Sequence, residues 1–369
     1  MSRKLAIIGA NESILPLIMK AKELGFETHV FARRCGDPGE SCADYFYPIS
    51  IDEKENILEE CRKIGICGVC SITSDFAAPI VSFIAREMGL IGNPESTDVL
   101  ARNKYKMRCA LKNAGLYTPR FYEVDKNVLL EELRDISYPL IVKPTDRWSS
   151  KGVSRVDSFD ELMKAVEIAV DESFDNKAII EEFMSGPEYS AECICYRGQY
   201  KILAFTKKQT TGYPHYIETG HIQPSDISFE KQEEIKQVIY KALNALNIQN
   251  GAAHAEFRIL EDGTIGIIEI GARMGGDCIG TDLTPVSTGM DYIRMVIDIA
   301  CGEKPCFDIV SQPSDVKIKF IIDSDDIREF ETIKENASDS IIRVGKIDTD
   351  FDREVTDSST RHGYYIVRC

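Results

Sequence analysis

The 369-residue sequence predicts a mixed α/β and α+β chain, with a small doubly wound domain ahead of larger α+β lobes. Two stretches carry that prediction. The opening, KLAIIGANESILPLIMKAKELGFETHVFARR, reads as strand, loop, helix and strand in a βαβ unit. Far downstream, GAAHAEFRILEDGTIGIIEIGARMGGD, from Gly251 to Asp277, alternates, turns at Asp262-Gly263 and alternates back as an antiparallel hairpin.

Composition narrows the function classes. A hydrophobic fraction of 43% and a charged fraction of 28% are ordinary for a soluble globular enzyme. The net charge of −16 argues against a nucleic-acid partner, although a local lysine cluster can still hold phosphates. Met1–Lys4 runs straight into LAIIGA, so no secretory leader is expected, and no apolar run approaches the roughly 20 residues of a membrane span. The 12 cysteines are scattered, and Cys67/Cys70 form a CxxC without a second pair to complete a zinc site. They are expected to act as small buried hydrophobes in a reducing, cytoplasmic setting, with no membrane partner.

Taken in order, the βαβ unit lacks a full GxGxxG phosphate fingerprint at Gly9–Ser13, which argues against a nicotinamide oxidoreductase. A strand at Gly68–Ile72 ends in Thr73-Ser74-Asp75, a helix follows over Ala78–Met88, and Leu90-Ile91 extends the alternation. Asn93-Pro94 breaks the chain, and Glu95–Gly115 reads as a helical linker carrying Lys104. Strands are expected from Phe121, before Lys143, over Gly152–Val156 and over Ala178–Phe183, with helices near Asn127–Asp135 and over Phe159–Val170. Glu188–Tyr196 and Gln199–Phe205 form a hairpin about Arg197-Gly198, and Phe229–Leu246 is a helix. Residues after about 310 read as a small α+β tail.

Glu256 and Glu269 are carboxylates at otherwise apolar strand positions, and pairing across the turn would bring them close. Like charges so placed repel unless a divalent ion sits between them, and magnesium suits two carboxylates plus phosphate oxygens. Solvated glutamates with a salt-bridging Arg273 read equally well from that hairpin alone. Lys104, Lys143 and the loop Trp148–Val153 are anion-binding candidates, although a lone lysine is more often a surface residue.

The order of these pieces resembles the ATP-grasp superfamily over residues 1 to about 305, and within it carboxylate–amine ligases of the biotin carboxylase and L-amino acid ligase kind. The resemblance implies a Rossmann-like pre-ATP-grasp domain at 1–93 and an ATP-grasp domain at 94–310. The latter would comprise an ATP lobe over about 115–185 and a catalytic lobe over about 186–310, with a small α+β lid subdomain at 311–369. Lys104 and Lys143 match the lysines on the nucleotide phosphates. Ser149, Ser150, Lys151, Gly152 and Val153 match the flexible lid above them. Glu181 matches the acceptor for the adenine amino group, Glu182 and Phe183 would present backbone groups to the ring, and Glu188 matches the ribose carboxylate.

Glu256 and Glu269 match the metal ligands, and Arg273 matches the arginine that steadies an acyl phosphate, so the catalytic set is Arg273, Glu269 and Lys143. One or two Mg2+ ions are implied, a role Mn2+ could also fill. Many members read Glu-x-Asn-x-Arg, whereas Gly271 here has no side chain to coordinate anything. For the substrate pocket the resemblance points to Glu218, His221, Arg273, Asp277 and Asp75, with Arg361–Tyr364 similar to a C-terminal lid element. The implied activity is ADP-forming ligation of a small carboxylate to an amine, with ATP as co-substrate and a homodimer as one assembly such ligases form. A purine-pathway ligase, a bicarbonate-activating carboxylase and a non-catalytic ATP-binding module are the alternatives.

Overall fold

The computed structural model describes residues 3–127, 136–147, 151–213 and 216–369. The stretch 128–135, where a helix is expected, and the loop residues Trp148, Ser149 and Ser150 fall outside them.

Four parallel strands, β1 (Lys4–Ile8), β2 (Glu27–Phe31), β3 (Tyr45–Tyr47) and β4 (Gly68–Cys70), pair in the order β3-β2-β1-β4. A parallel sheet is covered on both faces, and Leu5, Ala6, Ile7 and Ile8 of β1 are all fully buried. Leu5 and Ile7 pack with the helices Leu15–Glu23 and Tyr292–Ala300, while Ala6 and Ile8 pack with Lys54–Ile64 and Ala77–Met88. Leu90 and Ile91, expected to continue the sheet, form no strand. The helix Tyr292–Ala300 comes from far along the chain, and its core continues to Ile194, Ala252 and Met274. This shared core sets the loop after β4 against the central sheet.

A second, antiparallel sheet joins β5 (Phe121–Val124), β6 (Leu140–Pro144), β7 (Ser154–Val156) and β8 (Ala178–Glu182) in the order β5-β8-β6-β7. The helix Phe159–Glu172 covers it with Leu162, Ala165, Val166 and Ala169, an i, i+3, i+4, i+7 stripe against Leu140, Val142 and Ile180.

The central sheet has eight antiparallel strands: β9 (Glu188–Tyr196), β10 (Gln199–Thr210), β11 (Glu218–Gln223), β12 (Gly251–Ile259), β13 (Ile265–Gly271), β14 (Val316–Ile321), β15 (Ile341–Val344) and β16 (Gly363–Arg368). Their order is β13-β12-β9-β10-β11-β14-β16-β15. The strands after residue 310 therefore extend this sheet through the β11–β14 pairing instead of forming one of their own. On its back the helix Phe229–Ala245 packs Ile235, Ile239, Ala242 and Leu243 against Ala191, Cys193, Ala253, Ala255 and Phe257. Side chains alternate across a strand, so Ser190, Glu192, His254, Glu256 and Arg258 belong to the opposite face.

Between β8 and β9 the chain needs a glycine. Gly186 has φ +110°, and a Cβ there would lie 2.1 Å from the Ile259 carbonyl oxygen. Among the described residues no helix is long and apolar enough to cross a membrane. All 12 cysteines are free. Cys61, Cys70, Cys193 and Cys195 are buried as expected, whereas Cys35 and Cys369 are exposed. Cys67 approaches Cys301 at 3.8 Å between sulfurs.

Candidate active site

The β12–β13 register sets Glu256 directly opposite Glu269, and both line a cleft of about 550 Å³. The repulsion expected between them is met first by side chains. Lys208 Nζ lies 2.9 Å from Glu256 Oε1, His254 Nε2 lies 3.2 Å from the same atom, and Lys104 Nζ lies 3.2 Å from Glu269 Oε1. Burial opposes the charge on Glu256, but Lys208 and then His254 outweigh it and hold its pKa well below the carboxylate range. Burial likewise opposes the Lys208 ammonium, yet Glu256 and Glu188 push its pKa well above the usual value. His254 reaches about 9 because buried Glu192 offsets its desolvation, so it carries a proton at neutral pH.

Two opposed carboxylates without a third suit a hard ion that completes its shell with water or phosphate oxygens. Among the described residues no group of three or more His, Cys, Asp and Glu is arranged to hold a metal alone. Magnesium fits that donor set.

Lys104 opens the helix Lys104–Asn113, which Asn103 caps by accepting from the Lys106 N–H. Its Nζ donates to the Arg147 carbonyl at 2.5 Å as well as to Glu269. Lys143 stands near the end of β6, buried, with Nζ 2.7 Å from Glu181 Oε2. Burial lowers the Lys143 pKa against the opposing pull of Glu181. Arg108 takes the other oxygen of Glu181 and donates to the Ile268 carbonyl at 2.9 Å. These two cations outweigh burial and hold Glu181 to about 2.

Glu181, expected to accept from an adenine amino group, lines the cleft with its carboxylate already the counter-ion of Arg108 and Lys143. The backbone N–H groups of Glu182 and Phe183 are engaged too, donating to the Arg120 and Pro139 carbonyls. Just past β8, the Phe183 ring lines the cleft beside Met184, with the Arg155 and Arg258 guanidiniums 4.9 and 4.8 Å from its centre. Glu188, expected to face a ribose, is held by Lys208 and Arg258, each at 2.9 Å. Of the lid, Lys151 and Val153 line the cleft, and Gly152 supplies the bend with φ +69°. Ser149 and Ser150 lie outside the described residues.

Asp75, Glu218, His221, Arg273 and Asp277 line the same cleft. Arg273 Nε lies 2.7 Å from Asp75 Oδ1, and its Nη1 donates to the Met274 carbonyl at 3.0 Å. Asp277, with φ +50°, is gripped by Arg361 through two bonds of 2.9 and 2.7 Å. Burial is outweighed there by His221 and Arg361, and the Asp277 pKa falls well below its usual value. His221 is buried, with Nε2 3.7 Å from Asp277 and Nδ1 without a partner among the described residues. Glu218 accepts from Ser358 Oγ and lies 3.7 Å from Lys208.

An ATP-grasp domain model matches residues 136–282, the span that holds Lys143, Glu188 and the glutamate hairpin. A solved L-amino acid ligase from Bacillus licheniformis aligns over 100% of this chain and 93% of its own, with TM-score 0.82 and 27% identity. Residues 136–282 form an ATP-grasp domain. Alanine–anticapsin ligase of Bacillus subtilis (strain 168) is 30% identical over 303 residues, covering 72% of this chain and 62% of that protein. The chain thus spans less than two thirds of that relative's length. Phosphoribosylglycinamide synthetase from Anaerococcus prevotii, at TM-score 0.77 and 23% identity, shares the fold.

Sequence reasoning missed Lys208, His254 and Arg258, which line the cleft, and the buried partners Arg108 of Glu181 and Glu192 of His254. A signal existed for some. Thr206 and Lys208 share a parity on β10, as do His254 and Glu256 on β12, so period two alone places each pair on one face.

Proposed function

We propose that the chain is an ADP-forming carboxylate–amine ligase. ATP would phosphorylate the substrate carboxylate, and an amine would displace phosphate from the resulting acyl phosphate. The substrates are an amino acid or small carboxylic acid and an amine. The observation that carries this reading is one cleft that gathers the opposed Glu256–Glu269 pair with Lys104, Lys143, Lys208 and Arg273. The ligases among the relatives support it.

Each residue has a physical task. Bringing a carboxylate to a triphosphate brings two anions together, and preorganised cations lower that cost. Lys104 and Lys143 would hold the phosphates, and Arg273 the acceptor carboxylate and the charge that develops on it. Glu256 and Glu269 would hold Mg2+, which when bound neutralises phosphate oxygens. Ile141, Met184 and Ile268 would give the adenine apolar contacts. Lys151–Val153, bending at Gly152, would cover the phosphates and keep water from the acyl phosphate. Glu218 and Asp277, with His221, offer acceptors for an ammonium group. No covalent enzyme nucleophile is needed.

The test is isotopic. With the substrate carboxylate labelled with oxygen-18, one label should appear in the released phosphate. Phosphate released without label would exclude the acyl phosphate.

A further inference from the structure

Gly271 is two residues beyond Glu269 and two before Arg273. Its φ is not positive, so its backbone does not call for glycine. Space does. A Cβ there would lie 3.2 Å from Asp75 Oδ1, 3.2 Å from Arg273 Cγ and 3.4 Å from Arg273 Nε. Any longer side chain pointing that way would have to displace the Asp75–Arg273 pair.

Asp75 comes from the other side of the cleft. It follows β4, in a turn where Thr73, a β-branched residue, adopts φ +56° and donates to Ser13 Oγ at 3.0 Å. A β-branched residue with positive φ is strained, and surrounding structure must hold it. Ser74 Oγ accepts from the Ala77 N–H at 3.2 Å, where the next helix begins. The turn is therefore anchored on both sides of Asp75. Its Oδ1 meets Arg273 Nε at 2.7 Å, off the N–H direction, so the contact is ionic more than a well-aligned hydrogen bond. Both side chains are about one-fifth exposed and line the cleft.

We infer that Asp75 is a positioning residue: it reaches across from the parallel-sheet unit to orient the Arg273 guanidinium, and Gly271 keeps the space for it. This rests on the ligase reading, in which Arg273 meets the acceptor carboxylate. It assigns Asp75 a task other than the substrate contact expected from the sequence. It also ties the catalytic arginine to the placement of the N-terminal unit.

The test is a double-mutant cycle on carboxylate-dependent phosphate release. Asp75→Ala should lower kcat on the order of 10²-fold and leave the KM for ATP within about threefold, and Asp75→Asn, which removes the charge, should restore little of that loss. In an Arg273→Ala background, Asp75→Ala should cost nothing further, because it acts through Arg273. Gly271→Ala should lower kcat about tenfold, and Gly271→Asn should cost a larger factor in the parent than in an Asp75→Gly background. A second readout needs no turnover: in urea unfolding without added metal, the Asp75 and Arg273 changes should be non-additive by at least about threefold in the unfolding constant. Additive losses in both readouts would overturn the inference, as would a raised KM for acid or amine with kcat retained. Failure of the ligase reading is separate: Glu269→Gln would then turn over like the parent.

Discussion

Lys208 Nζ lies 2.9 Å from Glu188 Oε1 and 2.9 Å from Glu256 Oε1, so one buried ammonium joins the expected ribose carboxylate to an expected metal ligand. Both carboxylates keep their charge largely because of it. In the proposed ligase it also stands beside the path of the transferred phosphate. Lys208→Met should therefore lower kcat on the order of 10²-fold. Steady-state phosphate release checks this, and a loss under about threefold would remove Lys208 from the machinery.

Glu181 is a stability residue in this account. Its folded pKa of about 2 lies below the ordinary 4.5. The sign follows: its contribution is fully present above pH 4.5 and is lost as pH falls through about 2. Glu181→Gln would leave Arg108 and Lys143 buried without their counter-ion, at a cost of roughly 3–5 kcal/mol at pH 7. Urea unfolding of both proteins should show that gap narrowing between pH 4.5 and 2.

Asp277 and Arg361 are 84 residues apart in sequence and close one wall of the acceptor site. Arg361→Ala should raise the KM for the substrate bound there by about tenfold with little change in the KM for ATP. Arg361→Lys should not restore it, because an ammonium cannot make the two-pronged contact. Initial-rate measurements in each substrate decide the matter.

Two glycines with positive φ should respond differently to alanine. Gly186→Ala puts a Cβ against the Ile259 carbonyl and should cost roughly 3 kcal/mol. Gly198, with φ +74° and nothing within 4 Å of its Cβ position, should cost only about 1 kcal/mol. Thermal or urea unfolding compares them directly.

Much of this architecture was legible in the sequence. The Asp262-Gly263 turn and period-two alternation place Glu256 opposite Glu269 as the hairpin reading expects. The βαβ opening and the strand that carries Lys143 are local patterns of the same sort. The electrostatic partners were not legible, because they arrive from far along the chain. Arg108 reaches Glu181 across 73 residues, and Asp75 reaches Arg273 across a unit boundary. A lysine in FTKKQT reads as a surface residue until the sheet around it is known. The tail looked separate for a similar reason: the β11–β14 pairing is long-range and leaves no local mark.

The central claim is tested most directly by phosphate release from Mg–ATP with pooled amino acids, other small carboxylic acids and amines, each pool run beside Glu269→Gln and followed by mass spectrometry. Release should require a carboxylate and an amine together, yield ADP and a condensed product, and be almost completely lost in the variant. Release that needs only bicarbonate, or an unchanged rate in Glu269→Gln, would contradict that claim.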